Sequence, residues 1–494
     1  MQDTISYGIQ LSGLNYRQFE DTIRIYRDAV SYLIPVCQKT YNEWKDLNNH
    51  DAQRYITINI HSTKKRAARF PEFDKRFVKF PSELRKNAVD KALGIVRSYR
   101  SQLANWEDNG REGRQPVLIH TQAVMPCLFN RDMFKRTDDF SCQIKLYIKH
   151  DWVWKNLNLR ESDVKYIQKH CHNLSESAPT LEKRMHKMYL RFSYEGKYDL
   201  PDVEDSNPER YIIPETICAV DLGVNTDAAC CIMHRDGTVT TRKFINSPVE
   251  KDRLYSILDE IKNSQNHGNF HHNRLWRFAD NYNSEIAIKT ARGIVEFAKT
   301  HRADVIVMEN LQVSGKIHGN KKQRLHLWRK REILHRVESM AHRNGMRVRT
   351  VCAWNTSRLA FDGSGKVKRG KESEWTNNNY SICEFPCAEG MSHGKIYNCD
   401  LNASYNIGAR YLTRVIIKSI PETEWCALRA KVPDAFKRTT SEGDTGKSVV
   451  SVIHTTLSTL INLNRVLASS EAGAQLCAVS VEGKTAARKG RTAA

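Results

Sequence analysis

PETICAVDLGVNTDAACCIM, residues 214–233, is the stretch on which the fold turns. An apolar run closes on Asp221, and a second apolar run follows Asp227. HRDG at 234–237 then turns the chain tightly into TVTTRKFI at 238–245. Short apolar runs bounded by turn residues read as buried strands, and strands joined by a tight turn lie antiparallel. Downstream, ADVIVMENL (303–311) and MRVRTVC (346–352) read as two more strands. Helical stretches near 249–265 and 283–300 precede them, and the very basic helix KKQRLHLWRKREILHRVESMAHRN (321–344) lies between them. A polar, Gly-rich insert spans about 359–398, and CDLNASYNIGARYLTR (399–414) reads as a helix. Strand–hairpin, helices, strand, helix, strand, insert, helix suits a mixed sheet of RNase H type. It does not suit a doubly wound nucleotide fold, because the early strands are joined by a tight turn.

Upstream of this block the pattern changes. ISYGIQL (5–11) reads as a strand. Phe19, Ile23, Tyr26, Val30, Leu33, Cys37, Tyr41 and Trp44 then recur in threes and fours, one face of a long helix that Pro35 is expected to kink or break. A second helix is expected from Ser82, with Ser82 as its N-cap and Leu84, Ala88, Leu93, Val96, Tyr99 and Leu103 as its apolar stripe. Between the two lies TKKRAARFPEFDKRFVKFP (63–81), basic and aromatic together. Lys64, Lys65, Arg66 and Arg69 there are candidates to hold a nucleic-acid backbone while rings stack on bases. The alternative is a solvated basic loop whose Phe residues anchor it to the core. From about 117 to 194 short apolar and polar runs alternate, as expected of a small barrel or sheet. DLPDVEDSNPE (199–209) reads as a linker.

The 494 residues carry 77 Lys plus Arg against 56 Asp plus Glu, a net charge of +21. Such an excess steers polyanions toward the chain and releases counterions from phosphates, so nucleic acid is the expected partner. A hydrophobic fraction of 40% excludes a disordered scaffold. The 13 cysteines follow no regular framework, which points to a reducing cytosol and buried thiols. MQDTISYGIQLSG lacks the layout of a signal peptide, and no run approaches the length of a membrane span, so a cytoplasmic location, with association to the nucleoid when bound to DNA, is expected.

Asp221 and Glu309 each close a strongly apolar strand, where an ionised carboxylate is costly unless a cation, a metal or a raised pKa meets it. Asp400 stands at the start of a helix, where an N-cap acid would be unremarked on its own. Together, two strand-end acids and one helix-start acid can converge at one edge of an α/β sheet. Hard divalent cations such as Mg²⁺ take oxygen ligands, and a pair of them about 4 Å apart serves phosphodiester hydrolysis.

AVDLGVNTDA, then NYN with IVEFAKTHRADVIVMENL, then NTSR with YNCDLNASYNIGARY resemble the three RuvC motifs of the transposon-encoded TnpB proteins and of the CRISPR type V effectors related to them. The resemblance covers about residues 210–412. It implies a multidomain α+β chain: a first barrel strand plus helical recognition domain at 1–112, a wedge-like β-barrel at 113–205, a RuvC-like nuclease at 206–358 and 399–412, the insert at 359–398 and an extension at 413–494. It further implies that Asp221, Glu309 and Asp400 bind two Mg²⁺ or Mn²⁺ ions. A guide RNA would be held, and target DNA with a short flanking motif would be cut, with base pairing reading the sequence. Lys321, Lys322, Arg324, Arg329, Lys330, Arg331 and Arg336 of the basic helix read either as contacts to the heteroduplex backbone or as an exposed basic face.

The insert departs from the family. Many relatives carry a CxxC…CxxC zinc finger there, but NTSRLAFDGSG has no cysteine where the first pair would fall. Cys383, Cys387 and Cys399, with His393 between them, remain as an irregular zinc set. Lys366, Lys368, Arg369 and Lys371 form a basic cluster that reads either as a DNA contact or as a solvated loop. HGNFHHNR (267–274) lacks the context of an HNH nuclease. Two other readings remain open: a binding-only protein under RNA guidance, and an RNA-independent transposase or resolvase on the same fold.

Overall fold

The computed structural model describes residues 2–11, 16–120, 123–129, 132–184, 187–198, 200, 213–310, 329–387, 390–436, 438–441 and 450–469. The chain divides into two units, Gln2–Lys197 and Tyr198–Ala494. The linker expected at 199–209 lies almost wholly outside the described residues.

In the first unit the strand Gln2–Gln10 pairs antiparallel over its whole length with Lys187–Lys197, and Ser175–Glu176 and Thr180–Arg184 pair with that same strand. A second sheet is the meander Phe134–Arg136, Ser141–Ile148 and Asp151–Asn158, and the helix Glu161–Cys171 interrupts the expected β-rich run. The long first helix spans Tyr16–Lys39, with Phe19, Ile23, Tyr26, Val30, Leu33 and Cys37 buried as their spacing requires. Pro35 does not end it. The proline lies on the exposed side, and burial of the opposite stripe carries the helix on to Lys39. Tyr41–Trp44 is a separate short helix. The second long helix, Ser82–Asp108, differs from expectation at its start. Ser82 is its first residue and makes no cap, and Asp132 Oδ2 instead accepts from the Glu83 N–H at 3.0 Å.

The second unit is built on one five-stranded mixed sheet. Its strands are β1 (Thr216–Leu222), β2 (Ala228–His234), β3 (Val239–Ile245), β4 (Val305–Asn310) and β5 (Arg347–Cys352). The order is β3-β2-β1-β4-β5: β3, β2 and β1 are antiparallel neighbours, while β4 lies parallel to both β1 and β5. This is the mixed sheet of RNase H type that the order of elements in the sequence suggested. The helices are α1 (Pro248–Asn266), α2 (Asn273–Thr300), α3 (Lys330–Arg343), α4 (Cys399–Ser419) and α5 (Leu457–Ala468).

Side chains alternate across each strand, and the two faces are covered differently. Cys218, Val220, Ile306 and Met308 pack with Ala287, Ala291 and Ile294 of α2 and with Ile333 and Val337 of α3. Ile217, Ala219 and Val307 pack with Leu401, Tyr405 and Ile407 of α4. Gly408 lets α4 come close: a Cβ there would stand 3.1 Å from the Ala219 Cβ and 3.0 Å from Met233. The boundary expected at 412 falls inside α4. Leu457, Leu460, Leu463 and Leu467 of α5 belong to the same core, so part of the C-terminal extension is integral to the sheet's packing. Within the extension, the strand Val450–Ile453 precedes α5, and residues 470–494 lie outside the described residues. Among the described residues no helix is long and apolar enough to cross a membrane.

Gly408→Leu forces α4 away from β1 and β2. Overpacking of this kind costs about 1–3 kcal/mol, so urea unfolding of the variant should show a lower midpoint with an unchanged slope.

Candidate active site

Period two along the strands decides where the two strand-end acids point. Asp221 continues the series Ile217, Ala219 on the α4 face of β1, and Glu309 continues Val305, Val307 on the α4 face of β4. Val220 of β1 pairs with Met308 of β4, so the two acids, one residue further along parallel neighbouring strands, come level with each other. Asp400 lies in the first turn of α4, the helix that covers this face. It is not the N-cap. Asn398 Oδ1 accepts from the Asp400 N–H at 3.0 Å and the Leu401 N–H at 2.9 Å, and the Asp400 carboxylate is left to other partners.

The three carboxylates act on one another. Burial pushes the pKa of Asp221 well above the usual carboxylate range, and the charges of Glu309 and Asp400 push it further. Burial also raises Glu309, opposed by the Thr356 hydroxyl and by the Arg410 and Arg369 guanidiniums. It raises Asp400, opposed by the Thr226 hydroxyl and again by Arg369. The acids share one neighbourhood without closing into one ligand shell: among the described residues no three His, Cys, Asp or Glu side chains form a group that could hold a metal ion. Oxygen donors only, with ionised forms that disfavour each other, make a set whose chemistry fits hard divalent cations.

Arg369 is the residue that sequence reasoning misplaced. Grouped by sequence with Lys366, Lys368 and Lys371, it lies in the short strand Lys368–Arg369, paired opposite Cys383. The three lysines are exposed, whereas Arg369 is half-buried and its charge acts on all three acids. The alternation of a strand supplies the reason, but two residues are too short a run to announce a strand in the sequence.

The irregular zinc set is not assembled. The Cys383 Sγ donates to the Tyr397 carbonyl at 3.5 Å, and Cys383 and Cys399 lie together in a small core with Ala360, Val367 and Phe385. Cys387 is exposed, with its Sγ 3.0 Å from the Met391 carbonyl, and His393 stacks on Trp375 at 4.4 Å between ring centroids. Thiols that fill a core beside one another need no metal to explain them. No disulfide links the described cysteines, most of which are buried.

Among the basic candidates, Lys64, Lys65, Arg66 and Arg69 are exposed. Arg69 is paired with Glu43 at 3.0 Å, and the nearby rings of Phe73, Phe77 and Phe80 pack on one another in the core instead of facing outward. Lys321, Lys322 and Arg324 lie outside the described residues. Arg329 pairs with Asp280 and Glu332, and Arg336 binds the same Glu332 at 2.7 Å. Of Arg329, Lys330, Arg331 and Arg336, Arg331 alone is exposed, and burial lowers the pKa of Lys330. Glu332 absorbs much of the positive face that the sequence suggested. The histidines of 267–274 serve local turns: His267 Nδ1 lies 2.7 Å from the Asn263 carbonyl and His272 Nε2 lies 2.8 Å from that of Asn269.

The family model Aq_aa04 matches residues 3–148. A curated relative, the TnpB-like protein aq_aa05 of Aquifex aeolicus (strain VF5), is 26% identical over 225 residues, covering 41% of this chain and 70% of that protein. The chain is thus similar to a TnpB-like protein, as its RuvC-type motifs indicate. Among solved structures, it is similar to the Cas12f1–sgRNA–target DNA complex (TM-score 0.47, 13% identity, 79% of this chain and 81% of that one). It is also similar to the mini-RNA-guided endonuclease CRISPR-Cas_phi3 (TM-score 0.47, 11% identity, 84% and 92%).

A carboxyl whose pKa is raised by folding destabilises the fold once it ionises. Stability is therefore highest at low pH and is lost as pH rises from the unfolded-chain value through the folded one. In a chelator at pH 8, Asp221→Asn should raise the melting temperature above that of the native chain. That gain should shrink on acidification, and divalent cation should stabilise the native chain more than the variant; a thermal-shift series across pH checks both.

Proposed function

From its likeness to TnpB-like proteins, we propose that the chain is an RNA-guided DNA endonuclease with a RuvC-type site of Asp221, Glu309 and Asp400. The observation that supports it most is the convergence of three acids, at positions 221, 309 and 400, on the α4 face of one sheet, where each raised pKa reflects burial and the neighbouring charges act on Asp221. Such a gathering is costly in an apolar core unless the carboxyls stay protonated or cations meet them, and divalent cations would meet all three at once.

On this reading Asp221, Asp400 and Glu309 would hold two Mg²⁺ or Mn²⁺ ions, which would supply Lewis-acid activation of water and charge stabilisation for phosphodiester hydrolysis. The protein's own part is to hold the three carboxylates at fixed depth on two strands and one helix, where rigid elements position donors better than loops do. Arg369 offsets the mutual repulsion of the acids and offers guanidinium donors to a phosphate that enters beside them. The net charge of +21 supports guide RNA and target DNA as partners. The first unit would grip the guide and the short flanking motif.

Asp221→Ala should abolish plasmid cleavage by the RNA-bound protein while sparing RNA-dependent DNA binding. Cutting retained by this variant refutes the assignment. A native complex that binds DNA but does not cut it with Mg²⁺ or Mn²⁺ present identifies a binding-only protein, and a chain that cuts with no RNA identifies a transposase or resolvase.

A further inference from the structure

We infer that Thr356 is a positioning residue for Glu309, held in place by a row of buried polar side chains on α4, Asn402, Asn406 and Arg410. The inference rests on the nuclease reading above and extends it to residues outside the carboxylate set.

Thr356 is 2% exposed, and its hydroxyl donates to Glu309 Oε1. It lies in the irregular segment that leaves β5, directly after Asn355, whose φ of 61° is in the left-handed region. A short, strained segment does not keep a hydroxyl on target by itself, and α4 supplies the restraint. Asn406 Nδ2 donates to the Thr356 carbonyl at 2.9 Å and to the Leu359 carbonyl at 2.8 Å. One turn earlier, Asn402 Nδ2 donates to the same Leu359 carbonyl at 2.8 Å, and its Oδ1 accepts from the Phe361 N–H at 2.9 Å. One turn later, Arg410 Nη1 donates to the carbonyls of Cys352 at 2.8 Å and Trp354 at 2.6 Å.

Residues four apart share one helix face, so the three side chains form a single row directed at residues 352–361. Two asparagines and an arginine in a core are expensive unless their bonds are met, and an apolar face would pack α4 on the sheet as well. What the polar row adds is register. The helix that presents Asp400 also fixes the segment that presents Thr356 to Glu309, so two of the three acids are set by one rigid body. The row extends into the C-terminal segment as well, since Arg410 Nε donates to the Thr455 carbonyl at 3.4 Å just before α5. Fixing one carboxylate oxygen with a hydroxyl donor holds the side chain in one rotamer and leaves the other oxygen for a cation.

The test uses the full-length chain freed of nucleic acid, with Mn²⁺ binding followed by electron paramagnetic resonance. Groups that orient a metal ligand are worth about 10- to 100-fold in affinity or activity. Thr356→Val should weaken Mn²⁺ binding by about that factor and raise the metal concentration needed for half-maximal cleavage in parallel, and Thr356→Ser should restore both. If Thr356→Val does not fold, Thr356→Ala carries the same expectation. Native Mn²⁺ affinity in the folded Val or Ala variant overturns the positioning role even when Asp221→Ala is inactive. Cutting by Asp221→Ala overturns the nuclease reading instead, so the two failures are distinguishable.

Discussion

Close packing of α4 on one face of the mixed sheet is the constraint from which the rest of the second unit follows. The helix approaches β1 and β2 where Gly408 offers no side chain, and it covers the series Ile217, Ala219 and Val305, Val307. The next members of those series are Asp221 and Glu309. The same contact that buries apolar surface therefore buries two carboxylates and lowers a third, Asp400, onto them from the first turn of the helix. If the helix moved outward, the core would lose its cover and the acids would lose one another.

Gathering three acids in this way opposes folding, and the surroundings show how the opposition is met. Arg369 reaches the group from the insert, Arg410 from within α4, and Thr226 and Thr356 offer hydroxyl donors. Burial pushes the pKa of Arg410 itself down to about 10, the mark of a cation held in a core for its bonds and its charge. Local stability given up at one place and recovered by a polar framework is a pattern that functional sites share. The insert uses a small apolar core, in which Cys383 and Cys399 lie together, to hold the strand that delivers Arg369.

In the first unit, charge and ring placement separate. The Phe residues of 63–81 build a cluster of edge-to-face and tilted contacts with Tyr32 and Trp152, while Lys64, Lys65 and Arg66 stay in solvent. Rings with several apolar neighbours gain more from burial than from waiting for a base to stack on. On α3 the separation takes another form. A single carboxylate, Glu332, ties Arg329 and Arg336 into the fold.

By itself the sequence determined the order of the strands in the mixed sheet, because period and turn length are local properties, and it singled out Asp221 and Glu309, because a carboxylate at the end of an apolar run is conspicuous. The net charge of +21 sets the expectation of a polyanionic partner. Only the tertiary structure decided which cations face which acids, since the pair of Arg329 with Asp280 and the charge of Arg369 acting on Asp221 both depend on segments far apart in the chain. Thr356 and the row Asn402, Asn406 and Arg410 were invisible for the same reason. A polar residue in a helix reads as solvent-facing until the fold supplies the backbone carbonyls that it is there to bind.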